Sequence, residues 1–335
     1  MTSPQQIEIL DLRHFNAKQL RPLLDEEAAV WQQRLRWDYR TSTDLLLQYL
    51  DSRILPGFVA LDRGRVCGYT FCVYEGTKAV IGDLYALAAH PAPLAVCHSL
   101  ARHLLETLEA SPDINRIEAQ LLLFDTGTLR RIFSNPASGS KFSVFPRLFL
   151  EHTLPVPGPG LKPLQTPGNF EFHAWNANLY QPSAELILAA YAGHVDSTIN
   201  DQYRSLSGSL RFLHNIVRFP GCGVFDPQSS WALRERSSNV LAGVILCSRV
   251  APDVAHITQL CIAPAFRGRR LGRLLLDFCT DRMPAQRYRA LTLTVSEANA
   301  AAVNLYRAAG FTTRHRFDAL VLDKSPHRLR LISPA

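Results

Sequence analysis

This chain of 335 residues has no cysteine pattern that could organise it. Its seven cysteines, at 67, 72, 97, 222, 247, 261 and 279, make an odd, scattered set without a Cys-x-x-Cys pair. That excludes a disulfide framework and a zinc finger, and points to reduced thiols in a cytoplasmic protein. No run of about 18 apolar residues occurs, which excludes a membrane-spanning helix. The first residues, MTSPQQIEILDLRHF, lack the apolar centre of a signal peptide. Acid is missing from one short place in particular: between Ala263 and Leu276 there is no Asp or Glu, but there are four arginines.

The formal charge of +7 is unevenly spread. Residues 1–168 hold 17 basic and 17 acidic side chains, and residues 169–335 hold 19 and 12. A basic half could bind nucleic acid. Here, however, Arg267, Arg269, Arg270 and Arg273 share a single turn, which a phosphate-bearing small molecule explains without a duplex. No RNA-binding aromatic signature is present, so no nucleic-acid partner is expected.

That turn is the most informative segment. The apolar, β-like run Ile257–Ile262 feeds it, and an amphipathic helix follows with Leu271, Leu274, Leu275 and Phe278 at i, i+3, i+4 and i+7. A strand, a glycine-containing turn and a helix start together present several backbone N–H groups to an anion, most simply a pyrophosphate.

The stretch 154–168 alternates proline and glycine and cannot sustain a helix or strand, so it reads as a linker. It divides the chain into domains 1–153 and 169–335. The second reads β-α-α-β-β-β-α-β-α-β, with Asn299 capping a helix that Gly310 ends. The first repeats part of that order. It has a hairpin around 62–65, a strand over 79–87, an amphipathic helix over 94–108 and a strand from 116. Aligning Pro91 with Pro264 sets Asp83 opposite His256 and Leu87 opposite Leu260, as in an internal duplication. The first copy has Ala92-Pro-Leu-Ala-Val-Cys97 where the second has its arginine-glycine turn.

Arg267-Gly268-Arg269-Arg270-Leu271-Gly272, with the block running from Asn299 through Tyr306 to Gly310-Phe311, resembles the GCN5-related N-acetyltransferase (GNAT) superfamily. Its first signature, Gln/Arg-x-x-Gly-x-Gly/Ala, is met at Arg267 and Gly272 and departs at Arg270, where glycine is usual. Arginine keeps the N–H and is expected to be tolerated there provided φ is below zero. The resemblance covers about 169–325 by motif and 5–150 by topology. It implies a mixed α/β (α+β) fold of two tandem acetyltransferase-type domains, each a mostly antiparallel twisted sheet flanked by helices. The layout is similar to tandem enzymes of the mycothiol synthase kind.

The resemblance also implies site roles. Backbone amides of Arg267, Gly268, Arg269, Arg270, Leu271, Gly272 and Arg273 would hold the pyrophosphate of acetyl-CoA or another acyl-CoA, with arginine side chains on its 3′-phosphate. Leu260, Cys261 and Ile262 would offer free strand edge to the pantetheine arm, and Asn299 could contact it, although a helix cap is already reason enough for that residue. Tyr306 would give a proton to the leaving thiolate, with a core tyrosine as the alternative. His256 stands where relatives carry a general base, and Glu297 is the reserve; a water relay could replace both. Asp196 and Asp201, in the loop before the second helix, could hold a cationic amine; equally, Asp196 and Asn200 could be only cap and turn residues. No metal is implied. The expected activity is direct acyl transfer to an amine, small or peptidic, with a non-catalytic CoA sensor as the rival. The first copy would be a degenerate scaffold that walls the acceptor side or forms a homodimer contact.

Overall fold

The computed structural model describes residues 7–133, 141–155, 168–219 and 221–324. The expected linker, 154–168, lies almost wholly outside the described residues. In chain order the regular elements are β1 (Glu8–Asp11), α1 (Ala17–Leu35), α2 (Arg40–Asp51), β2 (Gly57–Asp62), β3 (Arg65–Glu75), β4 (Lys78–Ala86), α3 (Pro93–Ala110), β5 (Arg116–Gln120), α4 (Thr128–Ile132), β6 (Ser143–Thr153), β7 (Phe170–Ala174), α5 (Tyr180–Tyr191), α6 (Asp196–Ile199), α7 (Leu206–Arg218), β8 (Val224–Phe225), β9 (Trp231–Glu235), β10 (Leu241–Ala251), β11 (Val254–Ile262), α8 (Leu271–Arg282), β12 (Ala290–Ser296), α9 (Ala300–Ala308) and β13 (Thr312–Asp323). Among the described residues no helix is long and apolar enough to cross a membrane. The fold is mixed α/β with mostly antiparallel strand pairs.

The chain divides into two compact units, one made of residues up to Glu27, Leu46–Val144 and the chain from Asp318, the other of Ala28–Leu45 and Phe145–Phe317. In the first unit the strands run β1-β2-β3-β4-β5-β13, and only β4 and β5 are parallel neighbours. Helix α3 covers this sheet. Val96, Leu100, Leu104 and Leu108 recur at helical spacing and pack with Cys72, Ile81 and Ile117 in one core. Each such leucine, taken fully out of water, contributes about 1.5–3 kcal/mol.

In the second unit the order is β6-β12-β11-β10-β9-β7, with β8 also on β10. Strand β10 is central and buried along most of its length, which is why LAGVILC reads as a continuous apolar run. One core, with Leu275, Leu276, Val303 and Tyr306, lies on the side of α8 and α9. The other, with Ala184, Ile187, Leu213 and Cys261, lies on the side of α5 and α7.

The units are not simply the sequence halves. Strand β6 ends the first half, yet it pairs antiparallel with β12, from Arg147↔Ser296 to Thr153↔Ala290. Strand β13 ends the second half, yet its residues Ala319–Asp323 pair antiparallel with β5. Each sheet takes its last strand from the other half of the sequence. Residues 28–45, at the end of α1 and start of α2, also belong to the second unit.

The two units share a device. Strand β4 is bulged at Gly82 against β3, and β11 at Thr258 against β10. Just before each bulge the strand runs parallel to its neighbour for four residue pairs, Lys78↔Arg116 to Ile81↔Ala119 and Val254↔Ala290 to Ile257↔Leu293. A bulge bends its strand and raises the local twist, so the pairing ends there. Matching the bulges sets His256 opposite Val80, which corrects the Asp83 pairing given by aligning prolines.

Candidate functional site

The site is built where β11 and β12 part. Their ladder stops at Ile257↔Leu293, while β11 continues to Ile262 against β10. The Ala263 N–H donates to the Ala242 carbonyl at 2.8 Å, so Ala263 faces β10. Alternation then turns Cys261 to β10 as well, and leaves the backbone groups of Leu260 and Ile262 on the parted side. Of the three residues expected along the free edge, these two offer it; Cys261 does not.

The chain then enters a short 3-10 turn, Pro264–Phe266, and reaches α8 through Gly268 at φ +77° and Arg270 at φ +58°, ψ +16°. The condition placed on Arg270 is therefore not met. It occupies the left-handed region where the family signature has glycine, and carries the strain of an L-residue there. A Cβ added at Gly268 would meet nothing within 4 Å, so the turn is open at that point. Among the described residues, no acceptor meets the N–H groups of Gly268 to Arg273; the first inward bond of the helix is Leu274 N–H to Arg270 O at 3.1 Å.

The four arginines differ. Arg267 Nη2 donates to Ala190 O at 2.6 Å and closes the end of α5. Arg273 Nε sits 2.8 Å from both Asp277 oxygens, and its Nη1 donates to Ala308 O at 2.9 Å at the end of α9. Arg269 lies over the Phe266 ring at 5.3 Å. Arg270 is exposed. The side chains of Arg267 and Arg273 thus hold helix ends in place, while those of Arg269 and Arg270 lie exposed on the turn.

Tyr306, on α9, is buried, with its ring 5.7 Å from Phe311. Burial, and after it the nearby Asp196 and Cys261, push its phenol well above the ordinary range. The Cys261 thiol is pushed up to about 12, chiefly by burial. Asp196 is buried and accepts a short hydrogen bond from the Ser296 hydroxyl. Its backbone N–H donates to His194 Nδ1 at 3.1 Å. Tyr191 stacks on Tyr203 at 4.2 Å, and its hydroxyl donates to Gln259 Oε1 at 3.3 Å. Asp196 also lies close enough to both tyrosines to help raise their phenols, after burial.

The structure does not bring every expected residue here. His256 is buried before the parting point, its ring 5.0 Å from Trp37 and 5.7 Å from Phe149. The Thr292 hydroxyl donates to Ala255 O, so His256 Nδ1–H donates to Thr292 Oγ1 at 2.9 Å. Burial depresses the imidazole to about 3. It is a neutral core histidine and a poor proton acceptor. Glu297 is half-exposed and 3.8 Å from Arg316 Nη1. Asp201 opens the 3-10 turn Asp201–Arg204 and is not among the charges acting on Tyr306. The Asn299 side chain accepts from Ala302 N at 3.2 Å as the cap of α9. Among the described residues, no cluster of His, Cys, Asp and Glu is placed to hold a metal ion.

Residues 198–311, which carry the parted strands, the open turn and Tyr306, match the acetyltransferase (GNAT) family. A stretch of 64 residues is 36% identical to the [ribosomal protein bS18]-alanine N-acetyltransferase of Salmonella typhimurium, covering 19% of this chain and 43% of that enzyme. The chain therefore spans less than half the length of this curated relative. The fold is similar to the GCN5-related N-acetyltransferase from Sphaerobacter thermophilus, with a TM-score of 0.64 at 15% identity over 97% of this chain and 98% of that one. It is also similar to a tandem GNAT protein from the clavulanic acid biosynthesis pathway, with a TM-score of 0.56 at 16% identity over 96% and 99% of the two chains.

Tyr191, Gln259, Ser296 and Arg147 escaped the sequence reading. Arg147 lies on β6, where Pro146 breaks the strand pattern and hides the element. The other three have no motif to mark them.

Proposed function

We propose that this chain is an acyl-CoA-dependent N-acyltransferase whose reaction is carried by the second unit. The parting of β11 from β12 beside a turn of unbonded N–H groups carries this reading. A linear amide-bearing arm can add to the free edge at Leu260 and Ile262 as a short strand would. The N–H groups of Gly268 to Arg273, at the positive end of α8, suit the pyrophosphate that follows such an arm. Left-handed Gly268 with open space above it fits a close approach by that group. Acetyl-CoA is the simplest donor.

The amine nitrogen attacks the thioester carbonyl, the carbon–sulfur bond breaks, and the amine's proton is lost. Free thiolate is hard to form here, since the neighbouring Cys261 thiol is itself pushed up to about 12. Sulfur therefore leaves with a proton. Tyr306, which stays protonated at neutral pH, donates it in concert with proton loss from the amine. His256 has no part in this step; water takes the amine's proton.

The first unit is a scaffold without this chemistry. Its α3 begins behind Ala92, with no side-chain cap and no left-handed residue between Leu87 and Pro93. All seven cysteines are free thiols and six are buried, which fits a cytoplasmic setting. Calorimetry of the full chain with acetyl-CoA tests donor binding, and thiol release with added amines tests transfer. Saturable heat with amine-dependent release supports the enzyme. Heat without release under any amine favours a CoA sensor, and absence of heat refutes the reading.

A further inference from the structure

The groups around Asp196 that no internal partner satisfies define the acceptor's chemistry. The Asp196 N–H donates to His194 Nδ1 at 3.1 Å, so that nitrogen is occupied as an acceptor of the loop's own backbone. Among the described residues no lysine or arginine pairs with the buried Asp196 carboxylate; its hydrogen-bond donor is the Ser296 hydroxyl, and His194 Nδ1 lies 3.6 Å from its other oxygen. Buried carboxylates are ordinarily paired, so this one is built to receive a cation.

Two further groups are unsatisfied. Gln259, 4% exposed, gives its oxygen to Tyr191 and leaves Nε2 buried with no hydrogen-bond partner among the described residues. Arg147 stands directly opposite Ser296 on β6, and paired residues of neighbouring strands share a face. Its charge acts on Tyr203 together with that of Asp196, and its buried Nε likewise has no partner. One carboxylate and two orphaned N–H donors therefore surround the stacked Tyr191–Tyr203 pair. Orphaned buried donors in a native fold need an acceptor from outside.

Resting on the acyltransferase reading above, we propose that the acceptor is a primary α-amine with an oxygen on the neighbouring carbon, as in an amino acid or a peptide N-terminus. Its ammonium docks at Asp196, and water takes the proton it must lose before attack. Its carbonyl or carboxylate oxygen accepts from Gln259 Nε2 and Arg147 Nε. A plain alkylamine or a lysine side chain has the cation but not the oxygen, and leaves both donors buried and unmet.

The test measures thiol release by the full chain with acetyl-CoA and four acceptors: alanine, alanyl-alanine amide, propylamine and Nα-acetyl-lysine amide. The two α-amino compounds are expected to exceed the other two by about 100-fold or more in kcat/KM, the kind of discrimination that unmet buried donors impose. Alanine against the dipeptide then separates a free amino acid from a peptide N-terminus. The isosteric Gln259→Glu, and Arg147→Met beside Arg147→Lys, should erode that preference while CoA affinity by calorimetry stays unchanged. Equal turnover across the panel, or a preference untouched by either variant set, overturns the acceptor assignment alone, whereas CoA heat with no turnover of any acceptor overturns it together with the transferase reading and favours a CoA sensor. Absence of CoA heat overturns the underlying acyltransferase reading, and this one with it.

Discussion

Replacing Arg270 by glycine should make the protein more stable. The residue sits at φ +58°, ψ +16°, where an L-side chain is crowded against its own carbonyl at a cost of about 1–2 kcal/mol. Glycine removes that cost but loses about 0.5–1 kcal/mol through greater freedom in the unfolded chain. A second contribution has the same sign. Arg270 caps the N-terminus of α8, so its cation faces the positive end of the helix, a repulsion of about 0.3–1 kcal/mol that solvent reduces at this exposed position. The net gain is ~1 kcal/mol, or about 2–4 °C in melting temperature for a unit of this size. CoA affinity should fall only a few-fold, because the N–H that glycine keeps makes the contact and the lost guanidinium is exposed. Thermal melts of the unliganded full chain, with calorimetry of CoA binding on the same samples, read both quantities. A lower melting temperature would show that the arginine makes a native contact that outweighs the strain. A loss of CoA binding beyond about 100-fold would show that the side chain, and not the amide, holds the anion.

His256 ties stability to acid. The unfolded imidazole titrates near 6.5 and the folded one near 3, so on acidification the unfolded chain takes up the proton first. The contribution is fully present above the unfolded value and is lost as pH falls towards 3, by about 2 kcal/mol between pH ~7 and pH ~5. His256→Gln should flatten that limb of a denaturation series, and an unchanged slope would refute a buried neutral histidine. Tyr306→Phe should lower kcat about 10²-fold or more with CoA affinity intact; activity equal to wild type would make Tyr306 a core residue only. Arg267→Ala removes a charged hydrogen bond to the end of α5 and should cost about 1.5–3 kcal/mol in urea unfolding. A CoA-affinity loss without a stability loss would instead place that guanidinium on the ligand.

The sequence by itself determined what is local. The amphipathic spacing of Leu271, Leu275 and Phe278 fixes α8. Asn299 caps α9, Gly310 at φ +89° ends it, and the β-like run Ile257–Ile262 lies within the strand Val254–Ile262. These depend on contacts a few residues apart, which side-chain periodicity and backbone preference encode directly. Tertiary structure alone decided the rest. It sends β6 to β12 and β13 to β5, because a strand's partner is chosen by register and burial over distances no local pattern records. It buries His256 beneath Trp37 and Phe149 before the strands part, and so removes a base that its position seemed to offer. It makes Arg267 and Arg273 into ties between helix ends, and gathers Asp196, Gln259 and Arg147 around two tyrosines. Whether a charge is available for chemistry depends on what else the fold places within hydrogen-bond reach, and that is settled only when distant segments meet.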